Sequence, residues 1–110
     1  MGAHEVGDPQ RGKNVFLQCS ACHSLNAGEH RIGPSLHGIV GRTSGTAKGF
    51  GLYSDAMKRA GITWDADNLK RYLTAPQAFI AGTSMLFFGV KDEGQLDDLI
   101  AYLLKAAATN

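Results

Sequence analysis

Three observations predict an all-α protein. Leu96, Leu99, Ile100, Leu103 and Ala107 recur at helical spacing near the C-terminus. Leu69, Tyr72 and Leu73 fall at i, i+3 and i+4 and so share one helix face. No stretch alternates apolar and polar residues as a half-buried strand does, and no repeat is visible. Three main helices are expected, with shorter ones and long loops.

The first helix is predicted to start at Asp8, a good N-cap, with Pro9 at the first helical position. It runs through "QRGKNVFLQ", where Val15 and Phe16 offer an apolar side. From Ser24 to Phe50 the chain is rich in glycine, carries Pro34 and holds no sustained period, which predicts an ordered loop; loops of this length are usually functional. "SDAMKRAG" predicts a two-turn helix capped by Ser54 and stopped by Gly61. "TWDADNLKRYLTAP" predicts a longer one, with Thr63 as its cap, Asp65 and Asp67 in its first turn and Pro76 as its stop. The last helix is expected over 93–107, with Asp92 and Gln95 as a capping-box-like pair.

At 110 residues the chain has room for one domain, expected over residues 7–110, with 1–6 as a disordered leader or an appended remnant. This size lies near the limit at which a fold needs a staple. Eleven Lys and Arg against ten Asp and Glu leave a formal net charge of +1, which calls for neither nucleic acid nor a membrane surface. Residues 72–90, "YLTAPQAFIAGTSMLFFGV", carry no charge over nineteen positions. Pro76, Gly82 and polar residues interrupt them, and they fall short of the roughly 20 predominantly apolar residues of a spanning helix. "MGAHEVGDPQ" has neither the basic nor the apolar region of a secretory signal, so the expectation is a chain that stays where it is made or has lost a targeting peptide.

The two cysteines, Cys19 and Cys22, stand in "CSACH". C-x-x-C-H is the attachment signature of c-type haem: two thiols one helical turn apart can join the two vinyl groups, while the imidazole of the next residue, His23, reaches the iron. A redox-active cysteine pair would need a βαβ context, which is missing. A zinc site built with His30 and His37 would have the wrong spacings. A disulfide between these two cysteines would close too small a loop to constrain the unfolded chain much. One covalently held haem c also supplies the staple and part of the core.

The second axial ligand must come from far along the chain, and the candidates are His4, His30, His37, Met57 and Met85. His4 lies in the leader. His30 and His37 follow the motif closely, where a loop imidazole bonded to a backbone carbonyl is the commoner fate. Met57 falls in a short predicted helix, where methionine usually fills core. Met85 follows "AGTS" in a segment that can aim a side chain, and the balance favours it; its other reading is core filler beside Phe87 and Phe88. With His23 and Met85 on the iron no open position remains, and the implied function is one-electron transfer rather than catalysis. The rival is a haem enzyme or sensor, peroxidase-like or gas-binding, in which Met85 dissociates.

The chain resembles class I cytochrome c, the mitochondrial type and its close bacterial relatives, through "GKNVF", "CSACHSL", "RIGPSLHGIVGR", "GITW", "APQAFIAGTSM" and "DDLIAYL". The resemblance spans nearly everything from Gly7 onward. It implies the cytochrome c fold around one haem, with first and last helices crossing at Gly12, Phe16, Leu99 and Tyr102. It implies that the Pro34 carbonyl holds the His23 ring, that Arg42, Tyr53 and Trp64 surround a propionate, and that Tyr72 and Thr83 lie on the Met85 side. A buried propionate needs donors and a cation, and an outer hydrogen bond fixes a ligand imidazole.

The chain departs from that pattern in four places. It has one residue fewer between Phe16 and Cys19, one more in "GFGLY", and Met57 where mitochondrial members carry a polar residue. Gln18, Gln77 and Ser84 stand where those members place lysines around the haem edge, leaving Arg31, Lys91 and Lys13. Fewer cations predict weaker electrostatic steering and a more apolar contact. The expected partners are redox proteins such as a quinol-oxidising complex, a terminal oxidase, a reaction centre or a dehydrogenase, met by a monomer with no stable membrane insertion. Covalent haem attachment places the chain in the bacterial periplasm or the mitochondrial intermembrane space, and the sparse lysines favour the periplasm.

Overall fold

Five helices form along the chain in a computed structural model that describes residues 7–85, 87 and 89–107. The expected leader with His4, and Phe88, lie outside the described residues. The first helix, α1 (Pro9–Phe16), starts where the sequence places it, with the Asp8 side chain accepting from the Gln10 N–H at 2.8 Å. Beyond Phe16 the chain keeps winding: the N–H of Cys19 donates to Phe16 C=O at 2.7 Å and that of His23 to Cys19 C=O at 2.9 Å. This winding sets the two thiols and the imidazole in one turn.

α2 (Asp55–Arg59) is capped by Ser54 as expected, and Gly61, at φ 63°, follows its end. α3 (Ala66–Thr74) corrects the sequence reading. Its cap is Asp65, whose carboxylate accepts from the Asn68 N–H at 2.8 Å, and not Thr63. Thr63 is held extended by pairing with Thr43, with Trp64 N–H on Arg42 C=O at 2.9 Å and Ser44 N–H on Ile62 C=O at 2.7 Å. Helical winding can therefore begin only two residues later. Among the described residues this bridge is the one extended pairing, so the all-α expectation stands.

Pro76 ends α3 as predicted, but it also opens a further short helix, α4 (Pro76–Phe79), which the sequence reading of the uncharged stretch over 72–90 did not include. A fixed proline φ suits the first helical position, and the missing N–H costs nothing there. α5 (Glu93–Ala106) matches its predicted span, with the Asp92 carboxylate accepting from the Gln95 N–H at 2.9 Å.

All five residues of the predicted C-terminal stripe are buried, and Leu69, Tyr72 and Leu73 pack into the same core with Phe16 and Trp64. α1 crosses α5 closely because Gly12 has no side chain. A Cβ there would lie 2.6 Å from the Asp98 carbonyl carbon and 2.7 Å from the Tyr102 Cβ. The Phe16 and Tyr102 rings meet beside it with centroids 5.5 Å apart. Asp98 is a buried carboxylate the hydrophobic pattern did not flag. It accepts from the Asp8 N–H at 2.8 Å and from Arg11 Nε at 3.1 Å, fastening α1 to α5.

Candidate functional site

The loop over 24–50, the turn after α1, α2, α3, the segment around Thr83, Met85 and Phe87, and the inner face of α5 enclose a cavity of about 520 Å³. All ten residues singled out from the sequence line it: Cys19, Cys22, His23, Pro34, Arg42, Tyr53, Trp64, Tyr72, Thr83 and Met85. The remaining wall is largely apolar, with Leu36, Ile39, Phe50, Met57, Leu69 and Leu99 among its contributors.

The turn that winds Cys19 to His23 puts both sulfurs and the imidazole on one side of this space. Burial pushes the Cys19 thiol up to about 11, helped by neighbouring Cys22, so at neutral pH it is a thiol and not a reactive thiolate. The Nδ1–H of His23 donates to the Pro34 carbonyl at 2.8 Å, which leaves Nε2 with its lone pair. Burial lowers the pKa of this imidazole, partly offset by the Pro34 bond, so the neutral, ligating form is favoured. Gly33 makes the ring's position possible: a Cβ there would fall 2.6 Å from Nδ1 and 2.7 Å from Nε2.

Across the cavity, the Tyr72 hydroxyl meets the Thr83 hydroxyl at 2.8 Å, and the Trp64 ring packs on Tyr72 with centroids 5.3 Å apart. Burial raises the Tyr72 pKa, against the lowering effect of Thr83, so the phenol stays protonated. Thr83 Oγ1 also accepts weakly from the Met85 N–H at 3.4 Å, and Met85 itself is half-buried against the core.

Arg42 decides what else the cavity can hold. Its two terminal nitrogens donate to the carbonyls of His37 and Ser35 at 3.2 and 3.3 Å. Its Nε is buried without a protein partner. A cation's N–H left unpaired in a buried wall calls for an anionic acceptor inside the cavity. The Tyr53 hydroxyl accepts from the Ala47 N–H at 3.1 Å and keeps its own hydrogen to donate. A flat apolar macrocycle with two carboxylates, joined at two vinyl groups and ligated by imidazole, fits these donors, thiols and walls together.

The comparisons agree with this fit. The cytochrome c family model matches residues 9–107. The chain belongs to the cytochrome c family. It is 48% identical over 99 residues to cytochrome c2 of Rhodoblastus acidophilus, covering 89% of this chain and 92% of that one. It is 46% identical over 105 residues to cytochrome c of Stellaria longipes, covering 94% and 95%. Among solved structures it is similar to cytochrome cH from Methylobacterium extorquens, with a TM-score of 0.81, 43% identity and coverage of 88% of this chain and 97% of that one. As a family member the chain carries one haem c joined through Cys19 and Cys22, and it is an electron carrier rather than an enzyme.

His30 behaves as a loop residue. His30 donates from Nε2 to Lys48 C=O at 2.7 Å and accepts at Nδ1 from the Ser35 N–H at 3.0 Å, pinning the loop over 24–50 to itself. Sequence reasoning missed how the cations left near the site are used. Arg31 pairs with Glu29 at 2.8 Å and donates to Ser20 C=O at 2.5 Å, between the two cysteines, while Lys91 donates to Thr74 C=O at 2.6 Å. Glu29 could have been noticed two residues before Arg31, but Thr74 is far from Lys91 in sequence.

Proposed function

We propose that the protein shuttles one electron between redox protein partners, with its haem iron held by His23 Nε2 and the Met85 sulfur. The observation that carries the reading is the His23 ring. It is fixed by Pro34, seated against Gly33 and left with a free Nε2 in the same cavity that Met85 lines from a distant segment. Bound haem supplies an iron centre that changes charge by one with little change in its surroundings. The chain's residues do the rest. Pro34 orients the imidazole, Arg42 Nε and the Tyr53 hydroxyl receive a propionate, and the Tyr72–Thr83 pair steadies the Met85 side. The apolar walls exclude water, which together with a thioether ligand raises the potential.

The face an oncoming partner would meet is apolar and almost uncharged. Ile32 and Leu52 line the cavity and are 75% and 69% exposed, and Leu17, 66% exposed, precedes Gln18 on the same wall. With Arg31 and Lys91 engaged internally, this supports contact through apolar surface more than through long-range attraction. The bacterial relatives and the thinned cations support a periplasmic setting, with a quinol-oxidising complex, oxidase, reaction centre or dehydrogenase as partner classes. The test is the far-red charge-transfer band of methionine-ligated ferric haem. Its presence at neutral pH, and its loss in Met85→Ala, are the expected results. An absent band in the parent protein would mean an open iron position and would overturn the carrier's ligand set in favour of a peroxidase-like or gas-binding centre.

A further inference from the structure

We infer that Gln77 is a positioning residue for Met85, a neutral strut that keeps the ligand segment closed. The inference rests on Met85 being the second iron ligand. Gln77 stands in α4, and its side chain points back along its own chain: Nε2 donates to Thr83 C=O at 2.7 Å and, more weakly, to Met85 C=O at 3.4 Å. The amide nitrogen has two hydrogens, and these two carbonyls can take both. One side chain thereby closes the path from α4 to Met85.

The segment has need of it. Gly82 sits at φ 92°, and Ala81, Gly82 and Ser84 are exposed, so little packing restrains the backbone just before Met85. The other ties meet on Thr83: its N–H donates to Ile80 C=O at 3.0 Å and its hydroxyl pairs with Tyr72. Of the side-chain bonds, Gln77 alone among the described residues reaches the Met85 carbonyl. Drawing the sulfur away from iron moves the backbone at 83–85, and that motion stretches the Gln77 bonds. A neutral amide also gives up less hydration than an ammonium when it turns inward onto carbonyls.

The test uses the intact ferric holoprotein and imidazole, a neutral probe that can take the iron only after Met85 leaves. At saturating imidazole the rate of binding reads segment opening. Gln77→Ala removes the strut, and Gln77→Glu keeps its shape while removing both donors. Both variants are expected to open about two- to tenfold faster, the factor expected of one net hydrogen bond. Their urea unfolding stability should fall by no more than this same one-bond amount, because the unfolded chain lacks the Gln77 bonds just as the open segment does. Unchanged opening rates in both variants would overturn the proposal. So would a loss of global stability several times larger than the gain in opening, because that would mean general loosening. If the parent lacks the methionine band, the ligand assignment itself has failed, and this is read before any variant is made.

Discussion

Replacing Gly12 by alanine sets two effects of opposite sign against each other. Gly12 lies inside α1, and in a helix interior alanine is favoured over glycine by about 1 kcal/mol, so the sequence alone predicts a more stable protein. The structure predicts the reverse. The new Cβ would lie 2.6 Å from the Asp98 carbonyl carbon and 2.7 Å from the Tyr102 Cβ, where carbon atoms settle at about 3.5–4.0 Å. Backbone cannot swing aside as a side-chain tip can, so α1 and α5 must part by about 1 Å. A gap of that size forfeits about a quarter to a half of the contact energy across it. Phe16 and Leu99 are buried at this crossing, and each contributes about 1.5–3 kcal/mol by burial. The Asp98 bond to the Asp8 N–H is stretched as well. A loss of about 2–4 kcal/mol outweighs the propensity gain and leaves the variant about 1–3 kcal/mol less stable. For a chain of this length that lowers Tm by about 5–15 °C. Thermal unfolding of the holoprotein followed by far-ultraviolet circular dichroism measures it. Asn14→Ala, on the exposed side of the same helix, serves as a control and should raise stability by about 0.5 kcal/mol. A Gly12→Ala protein as stable as its parent would refute the close-crossing argument.

Three further outcomes are expected. Glu29→Gln should release the charge of Arg31 beside the cysteine turn, so that reduction of hexacyanoferrate, an anion, becomes faster at low salt and more salt-dependent than in the parent; an unaltered slope would show that the ion pair screens nothing. The Asp98 carboxyl is held below its ordinary range by the Asp8 N–H first and by Arg11 next, so the stability it adds is complete above about pH 4 and is lost as pH falls through the lowered folded value. Asp98→Asn should therefore be less stable by about 1 kcal/mol in urea at pH 7, with the gap closing in acid, and a gap of constant size would rule out this linkage. Met57→Asn should lower the reduction potential by roughly 30–60 mV, since a polar group in an apolar wall favours the more highly charged ferric state and about 59 mV is a tenfold change for one electron; potentiometry showing no change would remove Met57 from the haem environment.

What could be read in advance was local. The caps at Asp8, Ser54 and Asp92, the stripe of α5 and the C-x-x-C-H turn each depend on residues within a few positions of one another, and each appears as expected. Thr63 misled because what holds it extended is its pairing opposite Thr43, through bonds made by Arg42 and Ser44, partners that no local pattern displays. Pro76 was read as a stop, yet the same fixed φ also starts α4. Gln77 looked only like a missing lysine, because its role depends on where the carbonyls of residues 83 and 85 come to lie. The cavity wall was legible because the resemblance supplied long-range positions that composition and period cannot supply. The internal engagement of Arg31 and Lys91 was not legible, since charge counting does not see partners.

The short pairing of residues 41–44 with 62–64 makes the intervening chain a closed ring. Gly41 N–H on Trp64 C=O at 2.7 Å, Trp64 N–H on Arg42 C=O and Ser44 N–H on Ile62 C=O are its clasp, and the buried Ser44 hydroxyl, accepting from the Ile62 N–H at 3.1 Å, locks it. The entropy of closing a ring grows only slowly with its length, so its contents can vary while the clasp holds, as the extra residue in "GFGLY" illustrates. Native-state hydrogen exchange should find the clasp amides opening as one cooperative unit. That unit would bare Arg42 and Trp64 together while leaving the crossing of α1 and α5 shut.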